Sequence, residues 1–149
     1  MADVHDIAAF FLRHAGPMTT MKLQKLVYYG QAWALVLLRR PLFREDIQAW
    51  AYGPVVRELF LQHRGKFVVA DVEGQPERIV GEELCLLQGV LGAYGGLDGY
   101  KLSERTHKEE PWRTAREGLG EGEKSSRVIS HAAMRAFYSQ MRPPFHWAG

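Results

Sequence analysis

From Thr19 to Leu38 the chain carries a pattern that admits few folds. Leu23, Leu26, Val27, Gly30, Trp33, Ala34 and Leu37 recur at helical spacing and make one apolar stripe. In the C-terminal half, Ala32, Leu35 and Val36 make the reverse side apolar too. A helix that is apolar all round is normally buried all round. This segment is therefore predicted to be a central helix, capped by Thr19 or Thr20, with the other elements packed about it. Its N-terminal half differs, because Lys22, Gln24, Lys25, Tyr28 and Tyr29 occupy the side away from the stripe. Arg39 and Arg40 fall at the negative end of the helix dipole.

The flanking segments suit a bundle around that helix. Asp3 reads as an N-cap for a first helix whose Val4, Ile7, Ala8, Phe11 and Ala15 share a face, ended by Gly16-Pro17. Ile47 to Tyr52 alternates like a short extended segment. Gly53-Pro54 reads as N-cap and first residue of a third helix carrying Val55, Val56, Leu59 and Phe60. Phe67 to Val72 looks extended, and Glu73 to Pro76 looks like a turn. A fourth helix is predicted from about Glu82 to Tyr94, with Leu84, Leu87, Leu91 and Tyr94 inward and Cys85 on a mostly inward face. A short helix from Asp98 to His107 and another from Pro111 follow. Residues 118–126 are glycine-rich, charged and poor in hydrophobics, which predicts a mobile loop. Ser130 caps a last helix with Met134, Phe137, Tyr138 and Met141 on one face. Residues 143–149 form an aromatic tail whose Phe145 and Trp147 either fold back or meet a partner. No repeat or internal boundary divides the 149 residues. The expected fold is a mainly α, single-domain helical bundle with a central buried helix and a small β-hairpin or short extended segments.

Charge narrows the function classes. Residues 1–75 hold nine Lys/Arg against seven Asp/Glu, and residues 76–149 hold ten against ten. A dedicated nucleic-acid binder usually concentrates positive charge on one face, so nucleic acid is not the expected partner. One cysteine precludes an internal disulfide. The longest strongly apolar stretch falls far short of the roughly 20 residues that span a bilayer, and no charged-then-apolar leader opens the sequence. A cytoplasmic protein that meets no membrane is expected.

Three ordered blocks then carry a recognisable pattern. They are Thr20-Met21-Lys22-Leu23-Gln24-Lys25-Leu26-Val27-Tyr28-Tyr29, Ile47-Gln48-Ala49-Trp50-Ala51-Tyr52-Gly53-Pro54-Val55, and Leu102-Ser103-Glu104-Arg105-Thr106-His107 with Glu110-Pro111-Trp112. Together they resemble the Panacea domain family, the SocA-like antitoxins that include GepA-type phage-associated proteins. The resemblance runs roughly from Ile7 to Tyr138. It implies a bacterial antitoxin, phage-borne or on a mobile element in some members, that neutralises a cognate toxin by direct binding. In at least one relative the domain also delivers its toxin to a Clp-type protease. No catalysis, no cofactor and no metal are expected of such a binding protein.

Within the blocks, Leu23, Leu26, Trp50, Gly53, Pro54, Ser103, Thr106, His107, Pro111 and Trp112 are expected to serve the scaffold, since large apolar residues are mostly buried. Lys22, Gln24, Lys25, Tyr28 and Tyr29, with Arg57, are the candidate toxin-contact residues. Tyrosine is enriched at interface hot spots. The alternative for Tyr28 and Tyr29 is packing under neighbouring helices with their hydroxyls in water. Ser103 and His107 share a helical face, yet a nucleophile also needs an orienting acid and an oxyanion hole, and local structural bonding is the expected role of both. The six histidines are scattered and form no metal-ligand spacing. A nucleic-acid-binding regulator using the start of the second helix is the competing reading; it has only Lys22 and Lys25 as cations, where several phosphate contacts are needed.

Overall fold

Asp3 opens α1 (Val4–Ala15) with a reciprocal capping box: its carboxylate accepts from the Asp6 amide while the Asp6 side chain accepts from the Asp3 amide. The computed structural model describes residues 1–148. After α1 come β1 (Met18–Thr19), α2 (Thr20–Leu37), β2 (Ile47–Trp50), β3 (Gly53–Val56), α3 (Arg57–His63) and β4 (Val68–Val69). A 3-10 turn at Pro76–Arg78 leads to α4 (Gly81–Tyr94), α5 (Gly99–His107), α6 (Glu110–Ala115) and α7 (His131–Tyr138). Thr19, Asp98 and Ser130 each cap their helix by accepting an amide from the first turn. The chain is mainly helical, with two small antiparallel pairs, β1 with β4 and β2 with β3. No helix among the described residues is long and apolar enough to cross a membrane.

The second helix lies at the centre, with α1, α4, α5, α7 and β3 packed around it. Burial is unbroken from Leu23 to Leu35, so the N-terminal half is as enclosed as the rest. The outward side expected for Gln24, Lys25, Tyr28 and Tyr29 does not exist. The hairpin, α5 and α7 cover it, and each polar group is matched inside. Gln24 and Gln31, seven residues apart, do this in the same way. The Gln24 amide accepts from the Val56 amide and donates to the Val56 carbonyl. Gln31 accepts from the Leu42 amide and donates to the Phe43 carbonyl. Each side chain thus stands in for a missing strand partner, at the end of β3 for Gln24 and along the irregular segment at Leu42 and Phe43 for Gln31, meeting the near-obligatory pairing of buried peptide groups.

The segment expected to start the third helix at Gly53-Pro54 is instead strand β3, and α3 begins at Arg57. Ala51 and Tyr52 form the two-residue turn of the β2–β3 hairpin, in which Trp50 pairs with Gly53 and Ala49 with Pro54. Proline is tolerated there because the opposite residue needs no donor from it: the Ala49 carbonyl accepts from Arg116 at 2.9 Å, and the Ala49 amide turns away and donates to the Arg127 carbonyl at 2.8 Å. Residues 127–129 thereby lie along the outer edge of β2, and Ile129 donates to the Ile47 carbonyl at 2.8 Å. Two further expectations change. Cys85 is exposed, on the side of α4 opposite Leu86, Leu87 and Val90. Met141 lies beyond α7 and is also exposed. The tail folds back: Phe145 stands edge-on to Trp33 at 6.0 Å and fills the space a side chain at Gly89 would need.

Candidate functional site: a clamped hairpin beside an open cleft

The three sequence blocks meet at the β2–β3 hairpin. Four of its carbonyls each accept from a side chain delivered by a helix or its cap. Lys25 of α2 donates to the Pro54 carbonyl at 3.2 Å. Ser103 of α5 donates its hydroxyl to the Tyr52 carbonyl. The Trp112 indole of α6 donates to the Trp50 carbonyl at 2.8 Å, and Arg116 donates to the Ala49 carbonyl at 2.9 Å. Buried side-chain bonds of this kind fix geometry, because an unmet partner would carry its full desolvation cost. Ser103 is committed to the hairpin and no hydrogen bond joins it to His107. His107 stacks on Trp112, ring centroids 4.0 Å apart, with its Nε2 buried and without a hydrogen-bond partner.

Gly53 shows how tight the clamp is. Its φ is 120°, a region that L side chains rarely adopt, and an added Cβ would lie 2.5 Å from Lys25 Cε and 3.1 Å from Thr106 Oγ1. Thr106 meanwhile donates to the Ser103 carbonyl at 2.7 Å. Lys25 is fully enclosed, and burial pushes its pKa down from 10.5 to about 7. Burial also lowers His107 and His63, with the nearby Lys25 adding to both shifts.

Behind the hairpin is a second polar centre. Tyr29 and Tyr138 both donate to the same Glu109 oxygen, at 2.8 and 2.7 Å. Because Tyr138 gives its hydrogen to Glu109, Tyr28 donates to the Tyr138 oxygen across their 2.9 Å contact. Tyr29 also stacks on Tyr94 at 4.1 Å, whose hydroxyl accepts from Trp33. Burial raises the pKa of Glu109, a shift opposed by the two tyrosine bonds, and pushes Tyr94 up to about 12. The Tyr28 and Tyr29 hydroxyls are therefore dry, and neither ring meets the surface: their exposures are 1% and 0%.

In front of the hairpin opens a cleft of about 870 Å³. Its walls come from the first turns of α2, the hairpin, α3 and the segment after it, and residues 124–126 of the long loop. The surfaces are mainly apolar, with Trp50 and Phe60 packed edge to face at 5.0 Å. Gln24, Lys25 and His63 lie at its base, all buried; Arg57, Lys66 and Lys124 stand exposed at its rim. Of the six candidate contact residues, the structure gathers Gln24, Lys25 and Arg57 at this cleft. Lys22 is turned elsewhere, donating to the Gly95 carbonyl at 2.6 Å.

The expected mobile loop is tethered at its root. Arg116 also donates to the carbonyls of Gly120, at 3.2 Å, and Glu123, at 2.7 Å, with its guanidinium 5.2 Å from the Trp112 ring centre. Arg116, Phe60, His63, Lys66, Lys124 and the Glu109 carboxyl were not among the candidate site residues read from sequence. Arg116 had a local signal, since it lies one helical turn after Trp112. Arg116→Ala is expected to cost about 2 kcal/mol, given three lost bonds to a buried cation. It should also speed amide exchange at residues 120–127 while α2 stays protected. Unchanged exchange there would mean that the loop is held by other contacts.

Among the described residues no group of three or more His, Cys, Asp or Glu side chains is placed to hold a metal ion. Compared with known proteins, residues 23–113 match the model of a family described as "Antitoxin SocA-like, Panacea domain". That span runs from the start of α2 into α6 and includes the hairpin and the side chains that clamp it, Arg116 excepted. No curated protein and no solved structure matches.

Proposed function

The chain belongs to the Panacea domain family of SocA-like antitoxins, and from that premise we propose that it neutralises a cognate toxin by binding it directly. The family match is the observation that carries this reading. The fold supports it with a rigid clamp that holds an open, mainly apolar cleft, a shape suited to covering part of another protein. Neutralisation by occlusion asks for no bond-making step in this chain, and Ser103 has its hydroxyl occupied by the hairpin.

A nucleic-acid regulator using the start of α2 finds less support. Its two cations are spent, one on the Gly95 carbonyl and one beneath the hairpin. The partner is then a toxin protein.

Co-expression with a toxin encoded beside this gene is expected to restore growth and to yield a complex on purification. A stable complex should bury at least about 1,000 Å² in total. An adjacent toxin that arrests growth equally in the presence of the protein would sink the reading. Occlusion also predicts that protection persists in cells lacking Clp-type proteases; loss of protection there would assign an adaptor role instead.

A further inference from the structure

We propose that the cleft docks an extended segment of the toxin in which acidic side chains flank an apolar anchor. The proposal rests on the antitoxin reading and specifies the surface and chemistry it uses.

The charge distribution points to such a segment. The chain as a whole is nearly balanced, with 19 Lys and Arg against 17 Asp and Glu. The cleft is not balanced: Arg57, Lys66 and Lys124 line it, with Lys25 held beneath the hairpin at its base, and no Asp or Glu does. Arg57, Lys66 and Lys124 are exposed at its rim, while Trp50, Phe60 and Val55 supply apolar wall. Large apolar surface continues at its edge, where Tyr52 of the lining is 71% exposed and Phe67, next to Lys66, is 78% exposed. An apolar trough with a one-signed rim is complementary to a chain of the opposite sign with a greasy centre.

Other occupants fit less well. The chain's own aromatic tail is engaged at Trp33 and Gly89. A nucleic acid would need several phosphate contacts and free ring faces for its bases. The rim offers only three exposed cations; inside the cleft the Trp50 and Phe60 rings are packed against each other, and the exposed rings, Tyr52 and Phe67, lie at its edge.

The test uses the full chain and a fluorescein-labelled short peptide alternating glutamate and leucine around one tryptophan. Fluorescence anisotropy gives its affinity, alongside the same peptide with lysine for glutamate and a short oligothymidylate. The triple variant Arg57→Glu, Lys66→Glu, Lys124→Glu changes only exposed side chains. Its control is Arg39→Glu, Arg44→Glu, Arg142→Glu, also exposed and placed away from the cleft lining. The acidic peptide should bind the native chain and the control equally. The cleft variant should bind it about tenfold more weakly or worse, as several exposed attractions become repulsions. Melting temperatures should match between the two variants, which separates lost contact from lost fold.

Absence of acidic-peptide binding, equal loss in both variants, or tighter binding of the oligonucleotide or the lysine peptide would each overturn the proposal. Growth rescue by the native chain is scored separately. Rescue that survives the cleft reversal rejects this docking site and keeps the antitoxin reading, whereas acidic-peptide binding without rescue from any adjacent toxin rejects that reading.

Discussion

Tyr138→Ala is expected to lower the free energy of unfolding by about 3–5 kcal/mol, the range for emptying a buried aromatic site. Tyr138 is fully buried and packs within 6.2 Å, ring centre to ring centre, of Tyr28, Tyr29, Trp33 and Phe137. It also holds the eight-residue helix α7, which has few turns of its own to sustain it. Its hydroxyl joins Tyr28 to Glu109. Tyr138→Phe keeps the ring and isolates that hydroxyl, whose loss leaves Glu109 one donor short and should cost about 1–2 kcal/mol. Denaturant unfolding followed by fluorescence measures both. An alanine effect below about 1 kcal/mol would mean that α7 is not docked through this side chain.

The consequence reaches the cleft. Glu109 is the N-cap of α6, and it sits between α5 and the helix that carries Trp112. Fixing its carboxylate to Tyr29 and Tyr138 fixes the corner from which Ser103, Trp112 and Arg116 reach the hairpin carbonyls. Loosening the tyrosine centre should therefore blur the cleft before it unfolds the bundle.

How much of this was legible in the sequence follows from the range of each interaction. Helix starts were readable at Asp3, Thr19, Asp98 and Ser130, because each cap bonds an amide only three residues ahead. The central place of α2 was readable from its apolar surface alone. The clamp was not, since Lys25 meets Pro54 across 29 positions and Arg116 meets Ala49 across 67. Gly53-Pro54 carries a good local signal for a helix start, and cross-strand pairing with Trp50 and Ala49 overrides it. The tyrosines look like interface residues for a similar reason: their partners, Glu109 and Tyr138, lie 80 and 110 positions away. One signal was present and points inward. Polar residues inside an otherwise apolar helix require partners, and Gln24, Lys25 and Gln31 all have them inside the fold.

Raising the pH from 7 to 9 is expected to stabilise the protein by about 2 kcal/mol through Lys25 alone. The folded state holds this amine near 7 by burial, against 10.5 when solvated. Between those values the unfolded chain binds the proton and the folded chain does not, so stability rises with pH through that window. Below about pH 7 both states are charged and the full burial penalty remains. His63 and His107 act in the same direction at lower pH, because burial lowers both from 6.5, and their gain is complete by that value. Glu109 acts oppositely: its raised pKa lends stability in acid that is lost as pH climbs through its folded value.

Above pH 7 the slope should therefore belong to Lys25. Lys25→Met keeps a similar chain length, removes the charge and gives up one bond to the Pro54 carbonyl. Its stability should be nearly flat from pH 7 to 9. At pH 7 it should match or exceed the native chain, since the relieved burial penalty outweighs the roughly 1 kcal/mol of a lost hydrogen bond. Denaturant midpoints for both proteins across that range decide the matter. Parallel curves would mean that Lys25 stays charged beneath the hairpin, and the cleft would then have a permanent cation at its base.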